Sequence, residues 1–168
     1  KYDDSLRDFQ ILKALESEND SAIWQHVPRC IGWVGTDRGQ GLVTELVRDA
    51  DGLISRNLLE YLWANGYDDR AQAAVDEFAR FWELKHNPTR SLFLDNIAAQ
   101  VRPDGTLRLV VIDGLGNTVL IPWYTWSKTL GRIWARRKTQ QLRRDIAALV
   151  KSRRTQAAPC KATFLRSR

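Results

Sequence analysis

The chain has 168 residues, 43% hydrophobic and 27% charged, which excludes a disordered or fibrous protein and supplies apolar surface for one domain, or one large lobe and part of another. The two cysteines, Cys30 and Cys160, lie too far apart in sequence to argue a disulfide framework or a zinc site, and a reducing compartment fits best. The net charge of +6 is uneven: residues 1–127 carry 13 Lys/Arg against 19 Asp/Glu, a balance of −6, and residues 128–168 carry 13 against one, or +12.

A basic tail on an acidic body either engages an anionic partner, such as nucleic acid, a membrane surface or an acidic protein, or forms a solvated helix face, and composition does not separate the two. The longest apolar runs, such as Leu107 to Ile112 interrupted by Arg108, fall far short of the roughly 20 residues that span a bilayer. No membrane span is expected. The chain begins at Lys1 rather than a methionine, and the residues after Lys1 read as a polar helix start instead of a signal peptide. A fragment of a longer chain is therefore expected.

In chain order, Asp3 or Asp4 can cap a helix in which Leu6, Phe9, Ile11, Leu12 and Leu15 recur near a 3.6-residue period. Val27-Pro28 breaks the chain. Cys30 to Gly35 and Gly41 to Val47, joined by Thr36-Asp37-Arg38-Gly39, read as a hairpin. Polar residues Arg48 to Gly52 mark a candidate boundary, beyond which helical periodicity takes over. Leu58, Leu59 and Leu62 predict a short helix ending near Asn65-Gly66; Ala71, Ala74, Val75, Phe78, Phe81, Trp82 and Leu84 predict a longer one ending near Asn87-Pro88. Strand pattern returns at Ile97 to Val101 and Leu107 to Ile112, around the turn residues Arg102-Pro103-Asp104-Gly105. Tyr124 to Val150 reads as a long, basic, amphipathic helix.

The second hairpin carries the strongest chemical signal. Two arms closed by Pro-Asp-Gly return the chain antiparallel to its start, so Asn96 is expected to face Asp113. A side-chain carbonyl and a carboxylate meeting at one hairpin mouth suit a hard cation such as Mg²⁺, which takes oxygen ligands and keeps room for substrate phosphates. Gly114 and Gly116 let a loop bend closely there. The plainer alternative is that Asn96 and Asp113-Gly114 are turn and cap residues, as in many hairpins.

The order helix, hairpin, Glu45-containing connection, helices, second hairpin matches that of protein kinases. Arg90-Ser91-Leu92-Phe93-Leu94-Asp95-Asn96 resembles the catalytic loop of that family, and Ile112-Asp113-Gly114-Leu115-Gly116 resembles its metal loop with one residue extra. Asp8 stands where the helix carboxylate of that family would be. More specifically, Asp113-Gly114-Leu115-Gly116-Asn117-Thr118, Leu120-Ile121-Pro122 and Thr125-Trp126-Ser127-Lys128 look like the YrbL family, named for the PhoP regulatory network. Pro28-Arg29-Cys30-Ile31-Gly32 and Gly41-Leu42-Val43-Thr44-Glu45 fit the same family, so the resemblance covers roughly residues 3–145. It implies a kinase-like α+β fold in a bacterial, cytoplasmic protein. Residues 1–47 would form a reduced N-lobe of helix and β-hairpin with a hinge at 44–47, and residues 48–168 a mainly helical C-lobe.

The resemblance also implies ATP and Mg²⁺ as ligands, with Asn96 and Asp113 toward the metal and Asp8 and Glu45 toward the nucleotide. Three departures weaken catalysis. Ser91 occupies the position of the aspartate that accepts the substrate proton, and a serine is no base at neutral pH without activation. Phe93 replaces the loop lysine. The glycine-rich loop and phosphate lysine would precede Lys1, so the nucleotide site is incomplete in this chain.

His26 and His86 have no partner at metal-binding spacing, which favours ordinary polar or capping roles. Trp123, Trp126 and Trp134 have near-helical spacing, which favours packing over a base-stacking platform. Arg136-Arg137-Lys138 and Arg143-Arg144 either track phosphates or form a solvated face. A second expectation is thus a binding module that uses residues 128–154 to engage nucleic acid or an acidic partner.

Overall fold

Secondary structure matches the sequence signals closely in most places. The computed structural model describes residues 2–17, 21–85, 89, 91–115 and 128–155. The fold is α+β, with four α-helices and two separate two-stranded antiparallel sheets. The predicted roles of His86, Trp123 and Trp126 fall outside the described residues, as do Gly116 and Cys160.

Helix α1 (Tyr2–Ser17) buries Leu12 and Leu15, one turn apart on one face. A 3-10 turn, Ser21–Gln25, comes next. The carbonyl of its buried Ile23 accepts from the amides of both His26 and Val27. This turn leads into β1 (Cys30–Thr36), which pairs with β2 (Gly39–Thr44) in a register fixed by Trp33 opposite Leu42 and closed by Thr36 opposite Gly39. The tight turn needs Gly39 at φ +108°, and the Thr36 hydroxyl donates to the Gly39 carbonyl at 2.7 Å. Strand β2 stops at Thr44, short of the predicted Val47; only the Glu45 amide, donating to the Arg29 carbonyl at 2.9 Å, extends the ladder.

The polar stretch read as a boundary is tied down firmly. Arg48 bridges Ile54 across a bend, the Ala50 amide donates to the Val101 carbonyl at 2.9 Å, and Asp49 Oδ1 accepts from the Ser55 hydroxyl at 2.6 Å and the Val101 amide at 2.8 Å. The connection therefore lies along β3 (Ile97–Val101), which pairs antiparallel with β4 (Leu107–Val111). Val47 packs with Ala98 and Val110 in a small apolar cluster on that side of the hairpin.

Helix α2 (Leu58–Asn65) is capped by Asn57, whose Oδ1 accepts from the Glu60 amide at 2.8 Å, and ends at Gly66 with φ +89°. Helix α3 (Asp69–Lys85) buries Ala71, Ala74, Val75, Phe78, Ala79 and Trp82 along one stripe, and Asp68 Oδ1 accepts from the Ala71 amide at its start. The long helix α4 (Lys128–Arg153) buries Ala135, Leu142, Ile146 and Leu149 against the core. The expected start at Tyr124 lies outside the described residues. The Arg153 guanidinium donates to the Ala64 carbonyl at 3.1 Å, beside Gly66, whose φ of +89° favours glycine.

Candidate functional site

The expected pairing of Asn96 with Asp113 is corrected by one residue. Ile97 pairs with Val111, and the Ile112 amide donates to the Asn96 carbonyl at 2.9 Å, so Asn96 faces Ile112 and Asp113 stands one step beyond. The turn chemistry explains the slip. Asp104 Oδ1 accepts from both the Thr106 amide (2.9 Å) and hydroxyl (2.7 Å), and the Arg102 amide donates to the Thr106 carbonyl, so Arg102 and Thr106 close the hairpin. With a two-residue side-chain period, that single step decides which face each residue presents.

Past the ladder, the chain bends back. Gly114 takes φ +79°, and a Cβ placed on it would stand 3.1 Å from Asn96 Nδ2, 3.2 Å from the Ser91 carbonyl and 3.3 Å from Ser91 Oγ. Asn96 and Ser91 therefore converge on the residue after Asp113, where the positive φ and the tight space favour glycine. Asp113 is exposed, and its Oδ1 accepts from the Gly114 amide at 2.6 Å. Asn96 is half-buried at the end of a 3-10 turn, Leu94–Asn96, whose Asn96 amide donates to the Phe93 carbonyl. The structure thus brings Asn96, Ser91 and the Asp113-Gly114 pair to one hairpin mouth.

Two further residues hold this arrangement: Thr89, which sequence reasoning missed, and His26, for which it expected an ordinary polar role. Thr89, buried, bridges Leu115, and its hydroxyl donates to the Gly114 carbonyl at 3.0 Å. His26, also buried, accepts the Val111 amide on its own carbonyl, while its Nδ1 meets the Leu109 carbonyl at 2.7 Å. Because that partner is an acceptor, Nδ1 carries the proton, and Nε2 meets no hydrogen-bond partner among the described residues. The ring packs against Phe78 and Phe81 at centroid distances of 5.3 and 4.6 Å. Burial holds its pKa below the usual 6.5, although the Leu109 carbonyl pulls the other way. No sequence pattern gave the partner of either residue, since each acts through a backbone group distant in sequence.

The remaining candidates belong to the α1, β1 and β2 part. Asp8 is half-buried on α1, which packs on β1 and β2. Glu45 is exposed at the end of β2, with its carboxylate at the edge of hydrogen-bonding range, 3.5 Å from the Arg29 amide. Burial and, secondarily, the charge of Arg102 lower the pKa of the half-buried Arg108 of β4, and the charge of Glu45 opposes them.

Among the described residues no group of three or more His, Cys, Asp and Glu side chains could hold a metal. Asn96 and Asp113 supply the hard oxygen chemistry that Mg²⁺ takes, two donors being the number it uses when waters and phosphates complete the octahedron. No helix among the described residues is long and apolar enough to cross a membrane.

A family model described as PhoP regulatory network protein YrbL matches residues 1–147. Over 108 residues the chain is 32% identical to the proteins named "Uncharacterized protein YrbL" in Escherichia coli strain K12 and in Shigella flexneri, covering 62% of this chain and 51% of each relative. The chain therefore spans about half the length of the curated relatives it matches. No solved structure matches. The chain belongs to the YrbL family of PhoP regulatory network proteins.

Proposed function

We propose that this is a bacterial, cytoplasmic, kinase-like regulatory protein that binds a nucleotide with Mg²⁺ and transfers phosphoryl groups weakly or not at all. In this reading residues 1–47 are a partial N-lobe with a hinge at 44–47, and residues 48–168 are the C-lobe. The observation that carries it is the convergence of Asn96 and Ser91 on Gly114, immediately after Asp113, at the open end of the β3–β4 hairpin. That is where a kinase-like protein needs two oxygen ligands beside the phosphates. Asn96 and Asp113 would hold the metal, and Asp8 and Glu45 would serve the nucleotide side. A bound Mg²⁺ supplies charge neutralisation on the phosphates.

The residues of the chain supply positioning. Gly114 permits the close approach, and the Thr89 hydroxyl fixes the Gly114 carbonyl beside it. Ser91, half-buried at the position of the usual base, has no side chain able to accept a proton near pH 7, so any transfer relies on positioning and electrostatics. The test is Mg²⁺-dependent ATP binding by the natural full-length protein. Asn96→Ala and Asp113→Ala are each expected to weaken it at least tenfold while leaving the melting temperature of the ligand-free protein within a few degrees.

A second reading has its own support. Arg132, Arg136, Arg137, Arg144, Lys151 and Arg154 are exposed on or just past α4 and make no ion pair with any described residue. Such a surface suits an anionic partner, with the kinase-like body as scaffold. Trp134 does not add a stacking platform: it is half-buried, with Lys138 Nζ 5.2 Å from its ring centroid one helical turn on.

A further inference from the structure

Not all the cations of α4 are alike. Arg143 Nη1 pairs with Asp76 Oδ1 at 2.7 Å and fixes α4 to α3. Beside this pair, the segment before α3 and the last turns of α4 enclose an open groove of about 470 Å³. Tyr67, Ile146, Ala147 and Val150 line it, with Lys151 and Arg154 at its far end. Ile146 is buried, Val150 and Tyr67 are half-buried, and Ala147 is exposed, so the apolar floor is built partly from the edge of the core. Burial and, secondarily, the charge of Asp76 raise the Tyr67 pKa, so the phenol keeps its proton and remains a donor at neutral pH.

Building on the basic-helix reading, we infer that this groove docks an acidic peptide segment of a partner protein, with one apolar side chain on the Tyr67–Ala147–Val150 floor and carboxylates facing Lys151 and Arg154. Charge complementarity sets the sign of the partner. The sole acid on α4 is Asp145, and its carboxylate is engaged by Gln141 Nε2 at 2.8 Å. The apolar floor sets the class. A phosphodiester backbone has no group to place on it, and a bilayer surface is too flat to enter a concave groove, whereas a peptide offers apolar and anionic side chains two to four residues apart. A groove of this size takes one or two side chains, so the contact is small, weak and salt-sensitive.

The test uses the natural full-length protein and fluorescence anisotropy of a labelled peptide of glutamates around two central leucines. Lys151→Glu with Arg154→Glu, and separately Ala147→Glu, are each expected to weaken binding at least tenfold. Replacing the leucines by serines should do the same. Arg132→Glu with Arg136→Glu, outside the groove, should change binding less than threefold. All these positions are exposed, so an unchanged melting temperature and circular dichroism spectrum confirm that each variant is folded. If the Arg132 and Arg136 pair matters as much and Ala147→Glu does nothing, the groove inference is overturned while the basic-helix reading stands. If a 20-base-pair duplex binds more tightly, with its loss spread evenly over all cations, nucleic acid replaces the peptide. If peptide, duplex and anionic vesicles all fail to bind, both readings fall.

Discussion

The β1–β2 and β3–β4 hairpins are built alike, with arms of five to seven residues and a short turn, and they differ in what covers them. In the first no strand residue is fully buried: Ile31 and Val34 are 71% and 47% exposed, and α1 supplies its main cover through contacts such as Phe9 against Trp33, 5.4 Å between centroids. In the second, Ile97, Ala98, Ala99, Leu107, Leu109, Val110 and Val111 are all buried beneath α2, α3 and the connection from Val47 to Asn57. Strand propensity alone does not stabilise a pair of strands; packing of at least one face does. The candidate site grows from the well-covered hairpin, while Glu45 directly follows the less covered one.

The largest effect that would sharpen this contrast is Phe78→Ala. Phe78 is fully buried, stacks on Trp82 at 5.1 Å and supports His26. A loss of about 3–5 kcal/mol in chemical denaturation is expected. Next, His26→Ala should cost about 2–4 kcal/mol, since it removes the Leu109 bond and opens a cavity beside Phe78 and Phe81.

His26 also gives a pH signature. Its folded pKa is depressed, so the unfolded chain takes up the proton first as pH falls. Stability from keeping the ring neutral is complete above the usual 6.5 and declines below it until the lowered folded pKa is passed. Denaturant midpoints measured from pH 8 to 5 should show this decline, and His26→Phe should lessen it.

Gly114→Ala comes third, at about 1–3 kcal/mol, because φ +79° strains an alanine and its Cβ presses on Asn96 and Ser91. NMR should show shift changes concentrated at Asn96 and Ser91. Asp49→Ala, which removes the acceptor of the Ser55 hydroxyl and the Val101 amide, should cost about 1–2 kcal/mol. Last, Ile31→Ala, at a 71% exposed position of the first hairpin, should stay within about 0.5 kcal/mol. A cost near that of Phe78→Ala would break the comparison.

Much of the architecture was legible from local chemistry. Pro103-Asp104-Gly105 announced the second hairpin, Asn65-Gly66 ended α2 where expected, and the stripe from Ala71 to Trp82 marked the buried face of α3. What was not legible was non-local or turned on one residue of register. The ladder register slipped because the Asp104–Thr106 bonds place the closing pair at Arg102 and Thr106, a choice that a Pro-Asp-Gly signal leaves open. The contacts of the polar run Arg48 to Gly52 were hidden too: its backbone and Asp49 bind Val101, a partner some fifty positions away. The partners of Thr89 and His26 were not legible either, because Gly114 and Leu109 lie 25 and 83 positions away. The candidate site residues were named from order and resemblance; that Asn96 and Ser91 touch the same glycine became visible only in three dimensions.

The central claim concerns two oxygen ligands at one hairpin mouth, and calorimetric titration of ATP into the natural full-length protein, with Mg²⁺ and then with EDTA, tests it most directly. Saturable binding that needs Mg²⁺ and collapses in both Asn96→Ala and Asp113→Ala is the predicted result. No binding by the intact protein, or binding indifferent to Mg²⁺ and to both substitutions, would contradict it.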